Sequence, residues 1–142
     1  MTGRRAFLLF AAALCAPAAP SYAAPAPDFY KGKQIVMLIG TAAGGGYDTY
    51  ARTLARHIVK YIPGAPVIVP KNMPGADGAI AASTLYNSSP KDGSVMAALT
   101  NGIAMDPLFG RFAGRFDALK FNWLGSIGKL MNVCLTWNSS PV

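Results

Sequence analysis

Two stretches of this chain bear residues whose types and spacing point to ligand chemistry. The first is Gly40-Thr41-Ala42-Ala43-Gly44-Gly45-Gly46-Tyr47-Asp48. Glycine lets backbone N–H groups come close to a ligand without a Cβ in the way. Just beyond the run the pattern becomes helical, and the first N–H groups of a helix are unpaired and favour anions. Ala43, Gly44, Gly45 and Gly46 are therefore read as an anion seat. Asp48 is read as a helix cap, or as a contact to a polar or cationic ligand group. Nucleotide loops fit poorly. No lysine follows the glycines as a phosphate loop requires, and a dinucleotide pattern begun at Gly44 meets Thr49 where its last glycine belongs. A small carboxylate, which needs only a few donors, fits better.

The second stretch is Asn72-Met73-Pro74-Gly75-Ala76-Asp77-Gly78. Pro-Gly sets a turn, and the small residues after it suit a second helix start. Gly75, Ala76, Asp77 and Gly78 join the candidate site. Asp77 places a negative charge beside it, which disfavours an anion unless the carboxylate faces away or meets a cation.

Other chemistries are thinly supplied. The chain has one histidine, His57, and all six of its acids are aspartates. That is little material for general acid–base work. Ser126 lies in Leu124-Gly125-Ser126-Ile127-Gly128, with leucine where a nucleophile elbow needs its first glycine. Two cysteines and one histidine are too few for a structural zinc site. No catalytic residue, metal or cofactor is expected.

The elements that must position these loops follow from periodicity. Gln34–Gly40 is a continuous apolar run suited to a strand buried on both faces. Tyr50, Leu54, Ile58 and Tyr61 predict one apolar face of a helix over 47–62, stopped by Pro63-Gly64. Val67–Val69 reads as a second strand, Ala79–Tyr86 as a second helix, Pro90-Lys91-Asp92-Gly93 as a turn and Ser94–Thr100 as a third strand. A short helix is expected over 105–112, and strands over 121–127 and 132–137. Strand, loop and helix in alternation predict an α/β fold with a mostly parallel sheet flanked by helices. Its ligand edge lies at the carboxyl ends of the strands. Arg52, Arg56 and Lys60 form a basic stripe read as a solvated helix face, not a nucleic-acid surface.

Composition agrees with a folded, exported chain. Of 142 residues, 52% are apolar and 13% charged, with net charge +7. That excludes a disordered chain, and two cysteines exclude a disulfide-built miniprotein. Residues 1–23 have the order of a secretory signal peptide: Arg4 and Arg5, the apolar run Ala6–Ala16, then Ser21-Tyr22-Ala23. Those eleven apolar residues span roughly 16 Å as a helix, against about 30 Å for a bilayer core. Residues 24–142 form the expected mature domain, placed in the periplasm. Its one cysteine, Cys134, is read as a buried thiol in a strand.

Four segments together resemble the extracytoplasmic solute receptors of tripartite tricarboxylate transporters, the Bug or TctC-like family. They are Ile35–Asp48 with its Gly-Gly-Gly-x-Asp run, Asn72-Met73-Pro74-Gly75-Ala76, Pro90-Lys91-Asp92-Gly93, and Phe116-Asp117 with Phe121-Asn122-Trp123-Leu124-Gly125-Ser126. The likeness runs from about Tyr30 to Trp137. It implies a periplasmic-binding-protein-like lobe that takes a small organic anion, such as a di- or tricarboxylate. Membrane permease subunits would be its partners, and the two glycine-bearing loops would line its cleft. Ala43 stands where many such receptors have proline, and Asp77 where a glycine is common. The family has a second lobe, so this chain corresponds to an N-terminal lobe with the second lobe missing and is expected to bind carboxylates weakly alone. The alternatives are a small secreted α/β enzyme of esterase type, and an exported scaffold whose basic helix meets anionic membranes.

Overall fold

The computed structural model describes residues 29–112 and 115–128. The signal peptide expected over 1–23, the strand expected over 132–137 and Cys134 lie outside the described residues. Three strands, β1 (Gln34–Ile39), β2 (Val67–Asn72) and β3 (Val95–Ala98), form one parallel sheet in the order β2-β1-β3. Helix α1 (Gly46–Ile58) joins β1 to β2, and α2 (Ala79–Asn87) joins β2 to β3. The α/β architecture with a parallel sheet flanked by helices is the one expected.

Each strand sits where its composition allows. β1 is central, with Ile35, Met37, Leu38 and Ile39 all buried, as a continuous apolar run requires. β2 is an edge strand, its residues alternating between exposed and half-buried. It extends three residues past the expected Val69, through Pro70 to Asn72. Proline has no N–H to give a ladder and is tolerated at such an edge.

The crossover from β1 to β2 and the one from β2 to β3 run in opposite directions across the sheet, and right-handed connections then put the two helices on opposite faces. Packing agrees. Met37 and Ile39 meet Ala51 and Ala55 of α1 in one cluster, while Ala79 and Ala82 of α2 join Ile103 and Phe116 in another. α1 departs from the expected face. Ala51 and Ala55 are buried, Leu54 and Ile58 only partly, and Tyr50 and Tyr61 stand 60% and 75% exposed. Alanines bring the helix axis close to the sheet, and the larger side chains are displaced to the flanks. The helix ends at Ile58, followed by a 3₁₀ turn over Val59–Tyr61.

The turn before β3 forms as read. Asp92 Oδ1 accepts from the Ser94 amide at 2.9 Å, and Lys91 Nζ donates to the Leu85 and Tyr86 carbonyls that end α2. A helix C-terminus favours such a cation. Beyond β3 the expectations need correcting. The helix placed over 105–112 is a 3₁₀ turn over Asp106–Phe109, and 121–127 is not a strand. The Phe121 ring stacks on Phe116 and meets Tyr86 and Trp123 edge-on, while Trp123 Nε1 donates to the Ala118 carbonyl. The aromatic residues that suggested a strand instead cover α2.

Candidate functional site

Because the chain leaves β1 toward β2 and returns past it to β3, the loops after β1 and β3 diverge to opposite faces. In open α/β sheets the crevice they leave at the carboxyl ends is the ligand position, and the order 2-1-3 puts it between β1 and β3. The glycine run borders this crevice on one side and Thr100–Pro107 on the other. The Tyr47 hydroxyl donates across it to Asn101 Oδ1 at 3.2 Å.

Ala43, Gly44, Gly45 and Gly46 are all exposed here. Gly44 takes the left-handed φ of +86°, and nothing lies within 4 Å of where a Cβ would stand on it or on Gly46. Gly45 is the N-cap of α1. Gly46 and Tyr47 follow it, and as the first helical residues their N–H groups have no intrahelical acceptor. A carboxylate could reach them from solvent.

Asp48 lies at the same end of α1 but turns inward and is only 4% exposed. Its Oδ2 accepts from the Gly44 amide at 2.9 Å. Its Oδ1 accepts from Arg52 Nε at 2.9 Å and Asn72 Nδ2 at 2.8 Å. The amide bond comes first among the causes that hold its pKa down at about 2, followed by the bonds from Arg52 and Asn72. Asn72 also donates to the Thr41 carbonyl at 3.0 Å and accepts from Arg52 at 2.6 Å. Asp48 thus ties the glycine loop, α1 and the end of β2 together. It caps a loop amide ahead of the helix and leaves the helix's own first amides available.

Arg52, expected on a solvated face, is instead committed to this network. Asn72, read as part of the second loop, is the last residue of β2 and bonds to Thr41, Asp48 and Arg52 from there. Only the Arg52 contact had a signal in the sequence: Asp48 and Arg52 are four apart on one helix.

The second loop is built from four successive residues with positive φ: Gly75 at +131°, Ala76 at +46°, Asp77 at +52° and Gly78 at +92°. Gly75, Ala76 and Asp77 are exposed, and Gly78 is buried. Gly78 lies against the end of β1: a Cβ on Gly40 would be 3.0 Å from the Gly78 Cα. The Asp77 carbonyl accepts from Thr100 Oγ1 at 2.8 Å, which docks this loop onto the loop after β3. A left-handed conformation costs an L-residue about 1–2 kcal/mol, and glycine in a fixed backbone loses about 0.5–1 kcal/mol of that gain to entropy. Ala76→Gly is expected to stabilise the fold by roughly 0.5–1 kcal/mol, and Gly78→Ala to destabilise it. Denaturant titration checks both.

Two polar atoms near these loops are buried without a hydrogen-bond partner, Thr41 Oγ1 and Asp106 Oδ2. Asp106 is 5% exposed, and its other oxygen accepts from Arg111 at 3.2 Å. Ser126 lies on an exposed stretch, with its hydroxyl donating to the Gly128 carbonyl. Among the described residues no cluster of histidine, cysteine and acids is placed to hold a metal ion. No helix among them is long and apolar enough to cross a membrane.

Family models, curated proteins and solved structures were all compared with the chain, and none matches.

Proposed function

We propose that this chain is the N-terminal α/β lobe of an extracytoplasmic solute receptor. It captures a small organic carboxylate at the carboxyl edge of its sheet for a tripartite-type membrane permease. One observation supports this most directly: an open glycine run and the first turn of α1 border the crevice between β1 and β3. Glycine N–H groups and a helix start suit a carboxylate there. Hydrogen bonding with no bond chemistry is sufficient for this role.

Titrating the isotopically labelled chain with succinate and with citrate tests the reading. The amide signals of Gly45, Gly46, Tyr47 and Asn101 should move together with increasing ligand. Silence of these four amides at saturating ligand, or movement confined to other parts of the molecule, would sink it. The position of Asp77 makes a second use of the experiment. If its exposed carboxylate repels the ligand, Asp77→Asn should tighten binding of citrate more than that of succinate, since citrate carries the greater charge.

A further inference from the structure

Away from the glycine loops, a cavity of about 550 Å³ opens between α1 and the outer side of β2. Its walls are largely apolar, with Ala55 from the helix, Val59 from the turn that follows it, and Val67 and Ile68 from the strand, and Arg52 and Arg56 stand among them. Arg52 is fixed by Asp48 and Asn72, which occupy Nε and one terminal nitrogen; the other terminal nitrogen has no hydrogen bond among the described residues. Arg56 is exposed and has no hydrogen bond or ion pair among the described residues. The only acid in α1 or β2 is Asp48, buried in its own network. Val67, on the strand wall, is 59% exposed.

We propose that this cavity binds an amphiphilic monoanion, a carboxylic acid with an aliphatic or aromatic body. The apolar floor would take the body, and the guanidinium of Arg56, with the open nitrogen of Arg52, would take the carboxylate. Arginine pairs with carboxylates through parallel N–H donors. The volume lies within the roughly 300–1,000 Å³ of small-molecule sites. A protein strand is a poorer occupant. Pro70 interrupts the donors of the outer edge of β2 and Lys71 follows it, two features that oppose strand addition. The site is separate from the carboxyl edge of the sheet, and it does not depend on the receptor reading.

Decanoate is the probe, measured by calorimetry and amide shifts on the whole chain below its micelle concentration. It should bind and move the signals of Ala55, Val59, Val67 and Ile68. 1-Decanol should bind far more weakly. Arg56→Ala should weaken decanoate by roughly tenfold or more, the scale of a lost charge-assisted hydrogen bond. Its melting curve should be unchanged, since Arg56 makes no bond that holds the fold. Val59→Asp, which sets a carboxylate on the cavity wall, should abolish binding, and Arg115→Ala, on the α2 side, should leave it intact. Equal affinity for decanol, shifts at Gly45 and Gly46 in place of Val67, or an Arg56→Ala variant that binds as well as the parent would overturn the proposal. So would Arg56-dependent binding to vesicles of phosphatidylglycerol and phosphatidylcholine without binding of monomeric decanoate, which would make the surface a membrane face.

Discussion

Asp48→Asn is expected to loosen the glycine loop and lower the thermal midpoint by on the order of ten degrees. The substitution is nearly isosteric, so the effect is one of polarity. Both carboxylate oxygens receive donors: Gly44 on one, Arg52 and Asn72 on the other. In asparagine one oxygen becomes an NH₂, and either orientation sets that NH₂ against at least one N–H. A buried donor left without an acceptor loses its full solvation. The guanidinium of Arg52 would also lose its ion-pair partner. The Gly44 amide would be released, and with it the backbone geometry that presents Gly45 and Gly46. Scanning calorimetry checks the midpoint. Loss of the succinate-dependent shifts at Gly45 and Gly46 checks the loop.

The same residue sets a pH dependence. The folded-state pKa of Asp48 is lowered from 3.8 to about 2, with the Gly44 amide as the largest cause. A carboxylate depressed on folding contributes stability that is fully present above its unfolded pKa. That contribution is lost as pH falls through the folded value. Stability should therefore drop between about pH 4 and pH 2, and Asp48→Asn should flatten part of that drop. Asp92 is also lowered, by the Ser94 hydroxyl and amide, so the double variant with Asp92→Asn should flatten the drop further. A slope unchanged by Asp48→Asn would show that the carboxylate is not held as the geometry indicates.

The fold was legible where one physical signal dominated. The apolar run of β1 could be satisfied only by burial on both faces, and that places it in the centre of the sheet. The Pro-Lys-Asp-Gly turn carried its own hydrogen bonds in Asp92. The buried face of α1 differs from the one its large side chains predict, because Ala51 and Ala55 let the helix come close. The stretch Phe121–Ile127 departs from a strand for a related reason. Aromatic residues suit strands, but here they cover α2. At the site, glycines and the helix start could be read from local pattern. The Asp48–Arg52–Asn72 network could not, because Asn72 reaches Asp48 only through the parallel pairing of β2 with β1. Nor could the left-handed run at Ala76 and Asp77, since alanine does not favour positive φ and aspartate adopts it only in a minority of cases.

Ile39→Ala should have a comparably large effect on stability and should reach the site through packing alone. Ile39 is the last residue of β1, fully buried, in the cluster with Met37, Ala51 and Ala55. Removing a buried isoleucine side chain to alanine costs 2–5 kcal/mol, more where the surroundings cannot collapse into the space. Ala51 and Ala55 have no side-chain length to move inward, and the helix is pinned by the Asp48 network at its first turn. Met37 and Met96 are the flexible neighbours that can fill part of the gap. The expected loss is thus about 3–4 kcal/mol, a large share of the roughly 5–15 kcal/mol that holds a typical domain. Chemical denaturation should show a lower midpoint with an unchanged slope. The glycine loop lies directly after Ile39, but its hydrogen bonds come from Asp48 and Asn72. In molecules that remain folded, the succinate-dependent shifts should therefore persist, opposite to the behaviour expected of Asp48→Asn. If Ile39→Ala abolished those shifts while the chain stayed folded, the glycine loop would depend on packing beneath it and not on the Asp48 carboxylate.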